Sequence, residues 1–342
     1  MSDALGDRMK LYEMAEAGRH FMPLLPILAR VDGRCFSSFT HDMRRPYDPV
    51  MTNAMIATTV SLVGATNACM GYTQSDEITL AWHSPDPKSQ IWFDGRISKM
   101  TSQLGALATL YFYRLVYGSM DSKYSERLPT FDARVWQVPN RTEGANVFLW
   151  REWDCTKNSL TMAASEYYSH NELHGKNSTD KHEMLFAKGV NWNDYPTAFK
   201  RGTYVQRRRV VRPFTASERV DLPRKHEAHS NPDLEVERWQ IVIIEMPIFQ
   251  SVMNREAVIF EGAAPLHSLR AELDYAPNVR SKDAGKRTAQ TDHQEREGPQ
   301  AHASEGAGAP GGGSAAEAQE CSGAGDRTAE ETRGSGKGVL EG

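Results

Sequence analysis

The chain has 342 residues, enough for one large domain or two ordinary ones, and a formal net charge of −4, which excludes a globally basic nucleic-acid binder. No apolar run reaches the roughly 18 residues of a membrane span, so no membrane partner is expected. The four cysteines, Cys35, Cys69, Cys155 and Cys321, lack metal-type spacing and suit a reducing, cytoplasmic compartment better than a disulfide framework.

The N-terminal stretch MSDALGDRMKLYEMAEAG has no apolar signal core and reads as an amphipathic helix. LPILARVDG, residues 25–33, is a buried strand running into a glycine turn. Pro49 suits the first turn of a helix, and Met51, Ala54, Met55, Thr58 and Leu62 follow at helical spacing. ACMGYTQSDEITLAW reads as two strands around a tight turn at Gln74-Ser75-Asp76. RISKMTSQLGALATLYFYRLVYG is a second long helix, ended near Gly118, and TFDARVWQV is a fourth strand. The order β-α-β-β-α-β is that of a ferredoxin-like split βαβ unit, and the fold class is α+β.

Helical stretches follow. ANVFLWREWDCTKNSLTMAASEYYS has apolar residues at helical spacing, with Trp150 and Trp153 expected in the core. STDKHEMLFAKGV is a second helix, with Ser178 or Thr179 as the expected N-cap. GTYVQRRRVVRPF and RWQIVIIEMP form a strand pair around a polar loop, and basic residues crowd the first strand. A basic strand face can grip RNA phosphates; an edge protected by charge is the equal alternative. From Ser281 onward the composition breaks to Gly, Ala, Ser and Glu, with too little apolar surface to offset ordering entropy.

Two acidic segments need partners. Asp32 leaves the first strand beside Gly33, and Asp76 and Glu77 sit side by side in the hairpin. In a βαββαβ sheet the first and third strands are central neighbours, so both segments reach one edge. Two adjacent carboxylates repel unless a cation intervenes. Magnesium suits a site of one or two carboxylates, water and phosphate. Gly33 lets a main-chain carbonyl approach as a further ligand. Strand alternation allows only one of Asp76 and Glu77 to share the site with Asp32 unless the turn distorts; Asp76 is the expected ligand and Glu77 its support. Spacing alone leaves open two ordinary acidic surface turns.

The motifs RVDGRCFSSF, YTQSDEITL, SKMTSQLGAL, FDARV and DKHEMLF, in this order, resemble the histidine-tRNA guanylyltransferase family and its 3′-to-5′ polymerase-like branch. The resemblance covers about residues 25–206 and implies a catalytic domain like a polymerase palm. It implies metal ligation by Asp32, the backbone of Gly33, and Asp76, with Ser75 and Glu77 completing the motif and Asp32, Asp76 and Glu77 as the catalytic set. The implied chemistry is two-metal phosphoryl transfer with two Mg2+ ions. ATP activates a 5′-monophosphate, and the 3′-hydroxyl of GTP or another NTP then attacks that phosphorus. Arg30, Lys99 and Arg134 match triphosphate-binding positions. Arg34 beside the first acidic segment and Ser98 at a helix start join them as nucleotide contacts.

Arg45 stands where the family has a lysine of the activation step. Lys181 matches a family lysine, while His182 is expected as a plain surface residue. Of the signature tied to histidine-tRNA processing only Asn158 survives in DCTKNSL, which points toward templated repair of 5′-truncated RNA. The implied partners are tRNA or a tRNA-like RNA, nucleoside triphosphates and further copies in a homotetramer. The expected organisation is a palm-like catalytic domain over 1–140, a helical and hairpin RNA-binding part of the same globule over 141–264, and a mostly disordered tail over 265–342. The rival readings are a non-enzymatic RNA-binding protein with a degenerate palm and a palm-type nucleotide cyclase.

Overall fold

A computed structural model describes residues 4–267. The first half runs α1 (Ala4–Ala17), β1 (Ile27–Arg34), α2 (Phe36–Phe39), α3 (Pro49–Thr66), β2 (Met70–Gln74), β3 (Glu77–Trp82), α4 (Ile97–Ser119), α5 (Ser122–Glu126) and β4 (Thr130–Gln137). The second half runs α6 (Arg141–Ser165), α7 (His170–Leu173), α8 (Ser178–Ala187), α9 (Thr197–Arg201), β5 (Thr203–Pro213), α10 (Ala216–Val220), β6 (Glu235–Ile244) and α11 (Arg255–Phe260). This is a mixed fold of helices on an antiparallel sheet with strand order β4-β1-β3-β2-β5-β6. The second half therefore adds its hairpin to the sheet of the first, through β5 on β2 from Met70↔Gln206 to Thr73↔Thr203.

Alternation along β1 sorts the core. Ile27, Ala29 and Val31 face α3 and α4, where Met55, Leu62, Met100, Leu104 and Phe112 are buried. Leu28 faces the other side with Met70, Tyr72, Ala81 and Tyr204, under Phe148 and Leu149 of α6 and Ile259 of α11. The next residues on that second face are Arg30 and Asp32. The face under α6 is thus apolar at one end of the sheet and charged at the other. A third cluster joins Leu160, Ala163 and Ala164 of α6 to Leu185 of α8 and Trp192.

Helix starts follow local chemistry. Pro49 sits in the first turn of α3, and Asp48 caps it by accepting from the backbone N–H groups of Val50 and Met51. The cap of α8 is Asn177, in a reciprocal box with Asp180; the expected Ser178 is one residue inside, because the Asn side chain reaches the third helical N–H. α4 lies close on β4: a Cβ on Gly105 would meet the Phe131 carbonyl oxygen at 3.0 Å.

Three expectations are corrected. Helix α1 forms but buries none of its residues, so its pattern is not the face of a core helix. Trp150 and Trp153 are 49% and 43% exposed; Trp150 carries the Arg151 guanidinium at 4.5 Å, and Trp153 donates to Gln250 Oε1 at 3.3 Å. His182 is half-buried, edge-on to Trp192 at 5.5 Å. Of the tail expected over 265–342, residues 268–342 lie outside the described residues. Before it, Leu266 is still held, its N–H donating to Asn254 Oδ1 at 2.8 Å. Among the described residues no helix is long and apolar enough to cross a membrane.

Candidate active site

Asp32 lies inside β1, which continues to Arg34, rather than in a turn. Its cross-strand partners are Glu77 on β3 and Asp132 on β4. Directly opposed residues share a face, so three carboxylates form a row under α6. Two residues back, Arg134, Arg30 and Thr79 form a second row. The Ser75-Asp76 turn closes the hairpin next to them. Ser75 adopts a left-handed backbone, φ 48°, and its hydroxyl donates to Asp76 Oδ1 at 3.0 Å. The Gly33 N–H donates to the Asp76 carbonyl oxygen at 3.1 Å, tying the turn to β1. A Cβ on Gly33 would meet the ring of Phe36 at 2.4 Å, so glycine lets β1 pass over that core ring.

This distorted turn brings both acidic residues to Asp32, where alternation in a regular strand allows one. Glu77 is buried. Arg151 of α6 grips it with two bonds, Nε to Oε1 at 2.7 Å and Nη2 to Oε2 at 2.6 Å, and Arg30 Nε stands 3.8 Å away. Burial raises the Glu77 pKa, opposed by the Arg151 charge. Asp76 has no such cation among the described residues. Burial first and the Asp32 charge second push its pKa up to about 6. Asp32 is raised by burial, with Arg30 opposing and Asp132 adding to the rise. Glu77 is therefore paired within the protein and Asp32 is partly balanced by Arg30, whereas Asp76 is paired with no cation among the described residues.

The carboxylates open on a cleft with two adjoining lobes. The polar lobe, about 590 Å³, is lined by Asp32, Asp76, Glu77, Arg151, Asp154 and Thr161 among others. The apolar lobe, about 380 Å³, is walled by Met43, Met51, Met55, Ile56, Met162 and Phe199. Arg45, Gln74, Ser75, Asp76 and Asn158 line both.

Arg45 and Asn158 thus reach the cleft, and Asn158 donates to Asp154 Oδ2 at 3.1 Å. Lys181 stands behind the wall, its Nζ donating to Thr161 Oγ1 at 2.9 Å. Arg30 and Arg134 flank the acidic row, and Arg34 is exposed at the same end of the sheet. Ser98 and Lys99 are not brought together with these. They are exposed at the start of α4, where Ser98 Oγ donates to the Ala17 carbonyl oxygen. Nearby Trp92 stacks on Trp82, at the far end of β3 from the Asp76 turn. Sequence reasoning missed Arg151, Asp132 and Gln74. The FDA of FDARV carries Asp132 beside the chosen Arg134, so that signal was present; nothing in the sequence pairs Arg151 with a glutamate 74 positions away.

The carboxylates suit a hard divalent cation by donor chemistry: two carboxylates, no protein cation paired with Asp76 among the described residues, and an Asp76 pKa pushed up by burial and then by the Asp32 charge. Among the described residues no group of three or more His, Cys, Asp or Glu side chains is arranged to hold a metal. Any ion there needs oxygens from backbone, water or substrate.

Comparison with known proteins assigns the chain. The family described as tRNAHis guanylyltransferase matches residues 6–139, and the Thg1 C terminal domain matches residues 145–250. A tRNA(His) guanylyltransferase of Debaryomyces hansenii is 28% identical over 219 residues, which cover 58% of this chain and 80% of the relative. A bacterial tRNA(His) guanylyltransferase (Thg1)-like protein in complex with ATP superposes with TM-score 0.56 at 33% identity, covering 59% of this chain and 88% of that one. One in complex with GTP gives 0.55 at 27%, covering 72% and 94%. The chain belongs to the tRNA(His) guanylyltransferase family of nucleotidyltransferases.

Proposed function

We propose that this protein adds nucleotides to the 5′ end of tRNA or a related RNA, in the 3′-to-5′ direction, at the cleft between the Ser75-Asp76 turn and α6. The observation that carries this is the pair Asp32 and Asp76, two mutually repelling carboxylates lining a two-lobed cleft, in a family whose relatives bind ATP and GTP. The strand order β4-β1-β3-β2 with paired carboxylates on the central strands supports a ferredoxin-like, polymerase-palm reading.

The apolar lobe is shaped for a nucleobase and the polar lobe for phosphates. In the first step a 5′-monophosphate oxygen attacks the α-phosphorus of ATP, pyrophosphate leaves, and the end is adenylylated. In the second the 3′-hydroxyl of an incoming GTP or other NTP attacks the 5′ phosphorus, its proton passes to solvent, and AMP leaves. Arg30, Arg134 and Arg45 supply positive charge beside the phosphates. Asp32, Asp76 and the Gly33 carbonyl would hold two Mg2+ ions, which would supply Lewis-acid activation of the attacking hydroxyl and charge neutralisation. Arg151 holds Glu77 in place with two bonds, which orients β3 and the turn. Lys99 and Ser98 act on nucleotide only if another copy of a homotetramer brings them to the cleft, because their own chain holds them at the far end of the sheet.

The test is incubation with 5′-monophosphorylated RNA, ATP, labelled GTP and magnesium. Incorporation that depends on ATP and on Asp76 is expected. RNA binding without incorporation favours a non-enzymatic RNA-binding protein, and cyclic nucleotide from GTP alone favours a cyclase.

A further inference from the structure

β5 and β6 run on beyond the rest of the sheet. β5 leaves β2 at Gln206, yet stays paired with β6 to Pro213↔Glu235. The result is a two-stranded ribbon carrying five arginines, Arg207, Arg208, Arg209, Arg212 and Arg238, against Glu235 and Glu237. Not all of these charges are available. Glu218 takes Arg212 with two bonds at 2.7 and 3.0 Å and Arg238 Nε at 3.0 Å. Arg207 and Arg209 differ. By strand alternation they share one face, with Trp239 directly opposite Arg209. The Arg207 guanidinium lies 3.8 Å from the Trp239 ring centroid and that of Arg209 4.9 Å. Trp239 itself is 52% exposed.

We propose that Arg207 and Arg209, seated on Trp239, form a phosphate clamp for the sugar-phosphate backbone of the RNA substrate, at a distance from the reacting end. The juxtaposition of two guanidiniums on one exposed indole carries the idea. A cation stacked on an indole loses less freedom on binding than a free side chain, so the ring pre-organises both forks. The Arg207 guanidinium has no hydrogen-bond acceptor among the described residues. The competitor for Arg209 is Glu237, at 3.3 to 3.4 Å in an exposed pair, which solvent makes weak. A polyanion is the complementary partner, and the planar fork fits its phosphate oxygens two at a time.

Position supports the same partner. Thr203 pairs with Thr73, next to the Asp76 hairpin. Arg209 is six residues further along β5, about 20 Å at strand rise. By alternation Arg207 and Arg209 share the α3 side of the sheet with Val205, opposite the Asp32 row. A ligand that touches both the turn and the clamp must therefore be long and regularly charged and must pass around the sheet, as a folded RNA can and a free nucleotide cannot. The inference rests on the reading that the substrate is RNA.

The experiment measures binding of full-length protein to a 5′-monophosphorylated RNA hairpin as a function of salt, with labelled-GTP transfer followed in parallel. Each phosphate contact adds about 0.9 to the slope of log affinity against log salt, or about 3.5-fold between roughly 50 and 200 mM. R207A/R209A is expected to lower the slope by about 2 and flatten that fall by roughly tenfold. It should raise KM for the hairpin while kcat stays unchanged. R207K/R209K should keep the slope, since the charges remain. W239A should keep the slope yet weaken binding, since only pre-organisation is lost. An unchanged slope in R207A/R209A, with an unaltered melting temperature, overturns the clamp. A change of sedimenting mass with the RNA slope intact also overturns it and makes the ribbon a contact between copies. If the wild type transfers no GTP but the slope still falls by 2, the enzymatic reading fails and the clamp stands.

Discussion

Replacing Asp76 with Asn keeps the side-chain shape and the oxygen that accepts from Ser75, at 3.0 Å, and removes the charge. In the wild type the Asp76 pKa is pushed up to about 6 by burial and by Asp32. Against an ordinary carboxylate near 4, that is about two pH units, or about 3 kcal/mol of penalty on the ionised form. Asp76 is only half-buried, and solvent screening reduces this to roughly 1–2 kcal/mol. The raised pKa means the folded state holds a proton that the unfolded chain has lost. The penalty is therefore complete above pH 6 and disappears as pH falls toward 4. Without divalent metal, D76N should melt higher than the wild type at pH 7.5, by on the order of 4 °C for a domain of this size. The gap should close toward pH 4, while GTP transfer falls by 100-fold or more. Differential scanning calorimetry across pH 4–8, with and without magnesium, checks this. Magnesium should stabilise the wild type and not D76N. A variant that melts lower at pH 7.5, or a gap independent of pH, refutes the argument that Asp76 is a carboxylate without a protein cation, held for a metal ion.

Glu77→Gln should behave oppositely and destabilise by about 3 kcal/mol in urea denaturation, because it leaves the Arg151 guanidinium buried without its carboxylate. In a double-mutant cycle, Arg151→Met should recover part of that loss. Gly33→Ala forces the Phe36 ring to move from 2.4 Å and should cost about 1–3 kcal/mol, read as a lower urea midpoint at unchanged slope. On 5′-truncated tRNAs whose opposing base is varied, each base should select its complementary NTP, because Thr156, Lys157 and Ser159 stand where the histidine-tRNA signature would be. Equal GTP addition opposite all four bases would show untemplated guanylylation instead.

The local chemistry of the site was legible in the sequence. Asp76 sits in a turn because Gln74-Ser75-Asp76 interrupts two apolar strands, and Pro49 after Asp48 starts a helix whichever way the chain folds. The β-α-β-β-α-β order then made Asp32 and Asp76 neighbours, since the first and third strands pair. The sequence could not divide labour among the acidic residues. Glu77 and Asp76 are adjacent letters with the same charge, but one is gripped by Arg151 from a helix 74 residues away and the other, half-buried, lines the cleft. The same gap concerns Lys99. Its motif is intact, yet the stacking of Trp92 on Trp82 starts α4 at the opposite end of the sheet. It also hid Arg207 and Arg209 within a run of basic residues, until Glu218 took Arg212 and Trp239 seated the other two. Turn and cap preferences depend on residues a few positions apart and survive in any fold. Whether a charge is buried, paired or free depends on the strand register and helix docking that surround it, and those are set only when the whole sheet closes.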